Sequence, residues 1–311
     1  MKIVFMGTPL FAVYALEAIF QSDHEIVGVV TSSDKPAGRG KQLRQSEVKK
    51  IAIKNKLNLL QPLNLKDEVF LNNLRELEAD VFVVVAFRML PKVVWNIPPL
   101  GTFNLHASLL PNFRGAAPIN WAIIHNEKTT GVTSFFIDDK IDTGALLLKE
   151  EVPIESNETA GSLHDKLAPL GAKLILKTLD RIAVDQSSIP QQLLGNEKEA
   201  PKLTKENTKI NWEKPLLYID GLIRGLNPFP TAWIKIQNGE DQLKMKIFQA
   251  TPMIEKHSKK IGAVEIDDKK LKISHPEGFL IIEELQLPNK KRMNASDLLN
   301  GFKFKKGSKV L

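Results

Sequence analysis

A chain of 311 residues has the length of about two domains, and 43% hydrophobic with 25% charged residues suits a folded protein with a real core. It holds no cysteine, which excludes disulfides, cysteine metal sites and thiol catalysis, and no apolar run near the roughly 20 residues that span a bilayer. The net charge of +7 is uneven: residues 1–208 carry 24 Lys and Arg against 24 Asp and Glu, while residues 209–311 carry 19 against 12, which suggests chemistry in the first part and a polyanion on the second.

Lys2–Met6 reads as a buried strand that begins without the apolar stretch or cleavage site of a leader, so a cytoplasmic location is expected. Pro9 suits the first turn of a helix, and Phe11, Tyr14, Ala15, Ala18 and Ile19 recur at helical spacing. Glu25–Thr31 is a second strand, and this β-α-β opening predicts a parallel sheet. Only Gly7 stands where a dinucleotide fingerprint needs three glycines, which argues against a nicotinamide site. Ser32–Gln45 is predicted to be a polar loop bearing Lys35, Arg39, Lys41 and Arg44, able to reach for phosphate or simply solvated. Helical periodicity returns over Ser46–Lys56, with Ser46 as N-cap, and over Asp67–Leu77. Asp80–Phe87 is the most hydrophobic stretch and the best central strand; its C-terminal end runs into Arg88-Met-Leu-Pro91, where open α/β sheets hold ligands.

The next strand carries Asn104 and His106, two residues apart and therefore on one face. An amide and an imidazole at a strand end suit a developing oxyanion, and Asp142, in a turn between Gly131–Ile137 and Ala145–Ile154, offers a third polar group. Spacing alone leaves the ordinary readings open, namely a turn asparagine, a packed histidine and a turn aspartate. Thr159–Ala183 is a long amphipathic helix, and 185–208 has the composition of a linker. After a short helix over Leu216–Leu226, strands at Thr231–Gln237, Leu243–Ala250, Gly262–Ile266, Lys270–Ser274 and Phe279–Gln286 predict a small OB-like β-barrel. Basic clusters at Lys290–Arg292 and Lys303–Lys309 add to its charge.

Three motifs stand out: Asn104-Leu-His-Ala-Ser-Leu-Leu-Pro111, Arg114-Gly-Ala-Ala-Pro118 and Asp142-Thr-Gly144. Together they resemble the methionyl-tRNA formyltransferase family of folate-dependent formyltransferases. Met6-Gly-Thr-Pro9, the loop Asp34–Lys41 and Arg224-Gly-Leu-Asn-Pro-Phe-Pro-Thr-Ala-Trp233 extend the likeness from end to end. The resemblance implies a Rossmann-like, mostly parallel catalytic domain over 1–184, a linker over 185–208 and a basic tRNA-binding barrel over 209–311. It implies formyl transfer from 10-formyltetrahydrofolate, without a metal or a covalent enzyme intermediate, to the α-amine of methionyl initiator tRNA, in translation initiation. By the same resemblance Asn104 and His106 donate to the oxyanion, and Asp142 holds the imidazole and accepts the amine's proton. Ser108, Leu109, Leu110 and Pro111 shape the folate-facing loop, and Arg39, Lys41 and Arg44 reach the tRNA acceptor end. A monomer with no membrane partner is expected. One segment departs from the family: Ala86-Phe-Arg-Met-Leu-Pro91 is a residue shorter than the family's pattern, with Arg88 where a glycine is usual. Three other readings fit parts of the pattern: a formyltransferase for a glycinamide or amino-sugar nucleotide, a hydrolase releasing formate, and a nucleic-acid-binding protein without catalysis.

Overall fold

The computed structural model describes residues 1–37 and 42–311. The first elements are β1 (Lys2–Gly7), α1 (Leu10–Phe20), β2 (Glu25–Val30), β3 (Lys35–Ala37), β4 (Gln42–Arg44), α2 (Glu47–Lys54), β5 (Leu59–Leu60) and α3 (Glu68–Glu76). Next come β6 (Val81–Val85), α4 (Lys92–Trp95), β7 (Thr102–His106), β8 (Arg114–Gly115), α5 (Pro118–Ile124), β9 (Thr129–Phe136), β10 (Leu146–Pro153) and α6 (Ala160–Val184). The rest are β11 (Glu199–Ala200), α7 (Leu216–Gly225), β12 (Ala232–Asn238), β13 (Asp241–Ile254), β14 (Val264–Asp267), β15 (Lys270–His275), β16 (Gly278–Gln286), β17 (Met293–Asn294), α8 (Ala295–Gly301) and β18 (Lys309–Val310). They form two compact units, one of Met1–Pro118, Thr129–Val152 and His164–Glu199, the other of Ile119–Lys128, Pro153–Leu163 and Ala200–Leu311.

The first unit is built on a seven-stranded sheet in the order β10-β9-β7-β6-β1-β2-β5. From β5 to β7 the pairs are parallel, and β9 then pairs with β7 antiparallel. Every residue of β6 is buried, as expected of a parallel strand covered on both faces. Phe82 and Val84 share a core with Leu71 and Leu74 of α3, and each such side chain contributes roughly 1.5–3 kcal/mol of burial. The helix starts follow their caps: the Ser46 hydroxyl accepts from the Lys49 N–H, and the Asp67 carboxylate accepts from the Phe70 N–H. α6 crosses behind β7 so closely that a Cβ at Gly171 would lie 2.6 Å from Leu105 Cδ2.

The stretch expected to be a plain loop, Ser32–Gln45, instead folds back on itself, with Lys35 to Ala37 pairing antiparallel with Gln42 to Arg44. Its base is held by Asp34, which accepts from Lys49 Nζ at 2.7 Å and from Gln61 Nε2 at 3.2 Å. Periodicity missed this because three-residue strands carry no pattern, and the anchors lie 15 and 27 residues away.

The second unit holds a β14-β15-β16-β13-β12-β18 sheet, with β17 beside β16. Its described pairs are antiparallel. The two ends of this order meet, since the Val310 N–H reaches the Gly262 carbonyl at 2.8 Å and the Val264 N–H reaches the Ser308 carbonyl at 2.9 Å. The sheet is thus a nearly closed barrel. β13 runs to Ile254, past the Ala250 end expected from sequence, because its pairing with β16 continues to Ile254 after its pairing with β12 stops at Ile247. Pro252 lies beyond that point, where only β16 is paired and a missing N–H costs no ladder bond.

Candidate active site

β7 lies where the sheet changes from parallel to antiparallel, and its alternation puts Asn104 and His106 on one face with Leu105 packed on the other. Asn104 borders a cavity of about 300 Å³, also lined by Val84, Phe87, Arg88, Phe135 and Asp142. Among the described residues its amide has no hydrogen-bond partner, so both N–H groups and the carbonyl are uncommitted.

His106 is buried. Its Nε2 lies 2.8 Å from the Phe113 carbonyl, which only accepts, so Nε2 carries a hydrogen and Nδ1 is the nitrogen available for proton exchange. Nδ1 is 3.7 Å from Asp142 Oδ2. That carboxylate oxygen also accepts from the Gly115 N–H at 2.9 Å. Asp142 itself sits at φ 55°, a left-handed conformation that aspartate tolerates better than most residues. The turn is closed by Gly144, where a Cβ would stand 1.7 Å from the Phe136 carbonyl oxygen.

The structure adds a brace that sequence reasoning missed. Gln191 donates through Nε2 to the carbonyls of Asp142 and Gly144, at 2.9 and 2.8 Å, while its Oε1 accepts from Arg114 Nη2 at 2.5 Å. A glutamine in a polar stretch gives no sequence signal. It arrives here because Ile189 bridges to Leu146 at the start of β10.

Ser108, Leu109, Leu110 and Pro111 do not line the cavity that Asn104 borders. The Ser108 hydroxyl is spent on the Asn112 carbonyl at 2.7 Å, and Leu110 packs with Phe135 and Leu146 beneath the turn. The wall of that cavity includes Phe87 to Leu90, Ile137, Asp138 and Lys140 to Asp142. Arg39 and Lys41 fall outside the described residues, and Arg44 is exposed on β4. Among the described residues no group of three or more His, Asp or Glu side chains is arranged to hold a metal ion.

The formyl transferase family profile matches residues 1–179, and that of the formyl transferase C-terminal domain matches residues 202–303. The chain is 52% identical to methionyl-tRNA formyltransferase of Flavobacterium johnsoniae over 311 residues, which cover 100% of this chain and 99% of the relative. It belongs to the methionyl-tRNA formyltransferase branch of the formyl transferase family. The corresponding Bacteroides thetaiotaomicron protein is 47% identical, over 100% of this chain and 98% of its own. Among solved structures, WlaRD, a sugar 3N-formyl transferase crystallised in the presence of dTDP and 5-N-formyl-THF, has a TM-score of 0.65 at 24% identity, covering 94% of this chain and 99% of its own. HypX from Aquifex aeolicus in complex with tetrahydrofolic acid gives 0.64 at 18%; 96% of this chain is covered, which spans about half (47%) of HypX. At those identities the solved structures share the formyl transferase fold.

Proposed function

We infer that the protein transfers the formyl group of 10-formyltetrahydrofolate to the α-amino group of methionine on initiator tRNA, giving N-formylmethionyl-tRNA for translation initiation. The observation that carries this reading is the uncommitted Asn104 amide on the cavity wall, with Asp142 beside it and facing His106 Nδ1 at 3.7 Å. The cavity suits a flat, partly apolar co-substrate: Val84, Phe87, Leu90 and Phe135 supply apolar wall, and a few polar groups converge at one end.

The co-substrate supplies an activated formyl carbon. As the amine nitrogen bonds to that carbon, negative charge develops on the formyl oxygen, and the Asn104 amide donates to it. His106, held by its bond to Phe113, donates to the same charge from Nδ1 when the imidazole is protonated. Asp142 keeps that nitrogen oriented and takes the proton lost by the amine, directly or through water. The tetrahedral species then collapses, the bond from the formyl carbon to N10 of the folate breaks, and the departing N10 takes up that proton, leaving tetrahydrofolate. No enzyme nucleophile is needed, because the acceptor amine is the nucleophile.

For the tRNA, the outer face of β12 and β13 groups lysines around an aromatic ring. Trp233 stands opposite Lys246, and Lys235 stands opposite Lys244. Lys244 Nζ sits 4.0 Å from the Trp233 ring centre and Lys209 Nζ 6.0 Å. Burial first, and then repulsion from Lys246, Lys205 and Lys235, pulls the Lys244 pKa below its ordinary value. A phosphate arriving there relieves that repulsion, which supports backbone contact without sequence reading. On this reading residues 1–184 carry the chemistry and 209–311 hold the tRNA, and Arg39, Lys41 and Arg44 approach the acceptor end. The protein works as a monomer in the cytoplasm.

The test is formylation of Met-tRNA with 10-formyltetrahydrofolate by wild type, Asn104→Ala and His106→Ala. Loss of one oxyanion donor is expected to lower kcat by roughly 100- to 1,000-fold with folding unchanged. A variant that retains kcat within a few fold overturns the role of its residue. Wild type that binds the folate but leaves Met-tRNA unformylated overturns the acceptor.

A further inference from the structure

Arg88 stands at the rim of the donor cavity, in the segment that departs from the family's usual glycine. Its guanidinium donates from Nη1 to the Leu63 carbonyl at 2.9 Å and from Nη2 to the Pro62 carbonyl at 2.5 Å. Both partners are neutral. Among the described residues no carboxylate pairs with it, and partial burial alone pulls its pKa down, with no opposing charge to restore it. The side chain is otherwise exposed and lies over the Phe87 ring at 5.7 Å.

Among the described residues no other charged group on the cavity is paired with Arg88. Asp138 accepts from the Lys140 N–H and the Thr143 hydroxyl, and Asp142 accepts from the Gly115 N–H. Lys140 is a second cation on the wall. The cavity thus has carboxylates held by neutral donors and, among the described residues, a cation that is oriented yet has no ion-pair partner. An arginine held by two carbonyls has already lost much of its rotamer freedom, so less entropy remains to be lost on capturing an anion.

We propose that Arg88 is a specificity-determining residue for the formyl donor, presenting its guanidinium to a carboxylate of the donor's glutamyl tail. This rests on the folate reading above. A reduced folate is apolar and planar at the pterin and anionic at the glutamate, so a cation at the open mouth selects for the tail and sets the pterin inward. The strap to Pro62 and Leu63 aims the group, and its unpaired charge recognises the ligand.

The test compares two stable donor analogues by calorimetry on the full chain, 5-formyltetrahydrofolate and 5-formyltetrahydropteroyl amide, which ends in a neutral benzamide in place of the glutamate. Wild type is expected to prefer the glutamylated compound. Arg88→Gln is expected to weaken it by up to about fivefold, the range for a solvent-reached ion pair, and to leave the amide unchanged. Arg88→Lys, which keeps the charge and loses the fork, should fall between them. Equal weakening of both compounds would reduce Arg88 to a strap, and no weakening of either would remove it altogether; each overturns the proposal. Donor binding by wild type without formylation of Met-tRNA would sink the acceptor reading and leave this comparison standing. No binding of either compound by wild type would sink both.

Discussion

Gln191 shows how a residue with no chemistry of its own can set the chemistry of another. Asp142 is held in a left-handed backbone conformation, and Gln191 ties down its carbonyl and that of Gly144. Removing those two bonds leaves the carboxylate intact and lets the turn relax. Gln191→Leu is therefore expected to lower kcat about tenfold, with less than a twofold change in the KM for donor, as a misaimed base costs rate more than binding. Steady-state kinetics with saturating Met-tRNA checks it; an unchanged kcat would make the brace irrelevant to the reaction. Gln191→Glu keeps an acceptor for Arg114 but loses the two donated bonds, so it should behave like the leucine variant.

At the scale of elements, the β3-β4 hairpin depends on the single carboxylate at its base. The side-chain bonds from Lys49 and then Gln61 hold the Asp34 carboxyl below its ordinary value of 3.8. A carboxylate depressed on folding contributes stability above the unfolded value, and that contribution is lost as pH falls through the lower folded value. Thermal melts should therefore show wild type more stable than Asp34→Asn at pH 5 to 7, with the gap closing below about pH 4. A gap that stays constant to pH 2 would mean that the charge is not the source.

The same paired elements mark the limit of sequence reading. The opening β-α-β, the buried run at Val81–Val85 and the strand ending at His106 were legible because each carries its own period or a long apolar run. A period of two was enough to put Asn104 and His106 on one face, but spacing left a turn asparagine, a packed histidine and a turn aspartate open, and the family resemblance singled them out together with Asp142. The short hairpin, the reach of β13 past Pro252 and the approach of Gln191 were not legible, since each is decided by a partner distant in sequence. The direction of Leu110 was not legible either, since it depends on the core beneath it, here Phe135 and Leu146.

For the whole molecule, the uneven charge predicts how activity responds to salt. The basic excess lies entirely in residues 209–311, so ionic strength should act far more on tRNA binding than on donor binding, where only the exposed pair at Arg88 is screened. Raising salt from about 50 to 200 mM is expected to raise the KM for Met-tRNA at least tenfold, and the Lys244→Ala, Lys246→Ala double variant should lower the salt slope by about two. Filter binding across that range reads the slope directly. A slope unchanged in the variant would move the phosphate contacts off the β12-β13 face.

The absence of a side chain at Gly171, where α6 presses on Leu105, has a genetic consequence. The back of the strand bearing Asn104 and His106 has no room for one more carbon, yet what such a carbon would meet is the tip of a leucine, which can give way. Gly171→Ala is therefore overpacked by about 1–3 kcal/mol, enough to matter near the melting temperature and little below it. Such an allele should be conditional: cells relying on it would initiate translation normally at low temperature and lose formylation on warming. Revertants would be expected at Leu105, where a smaller side chain restores the missing space.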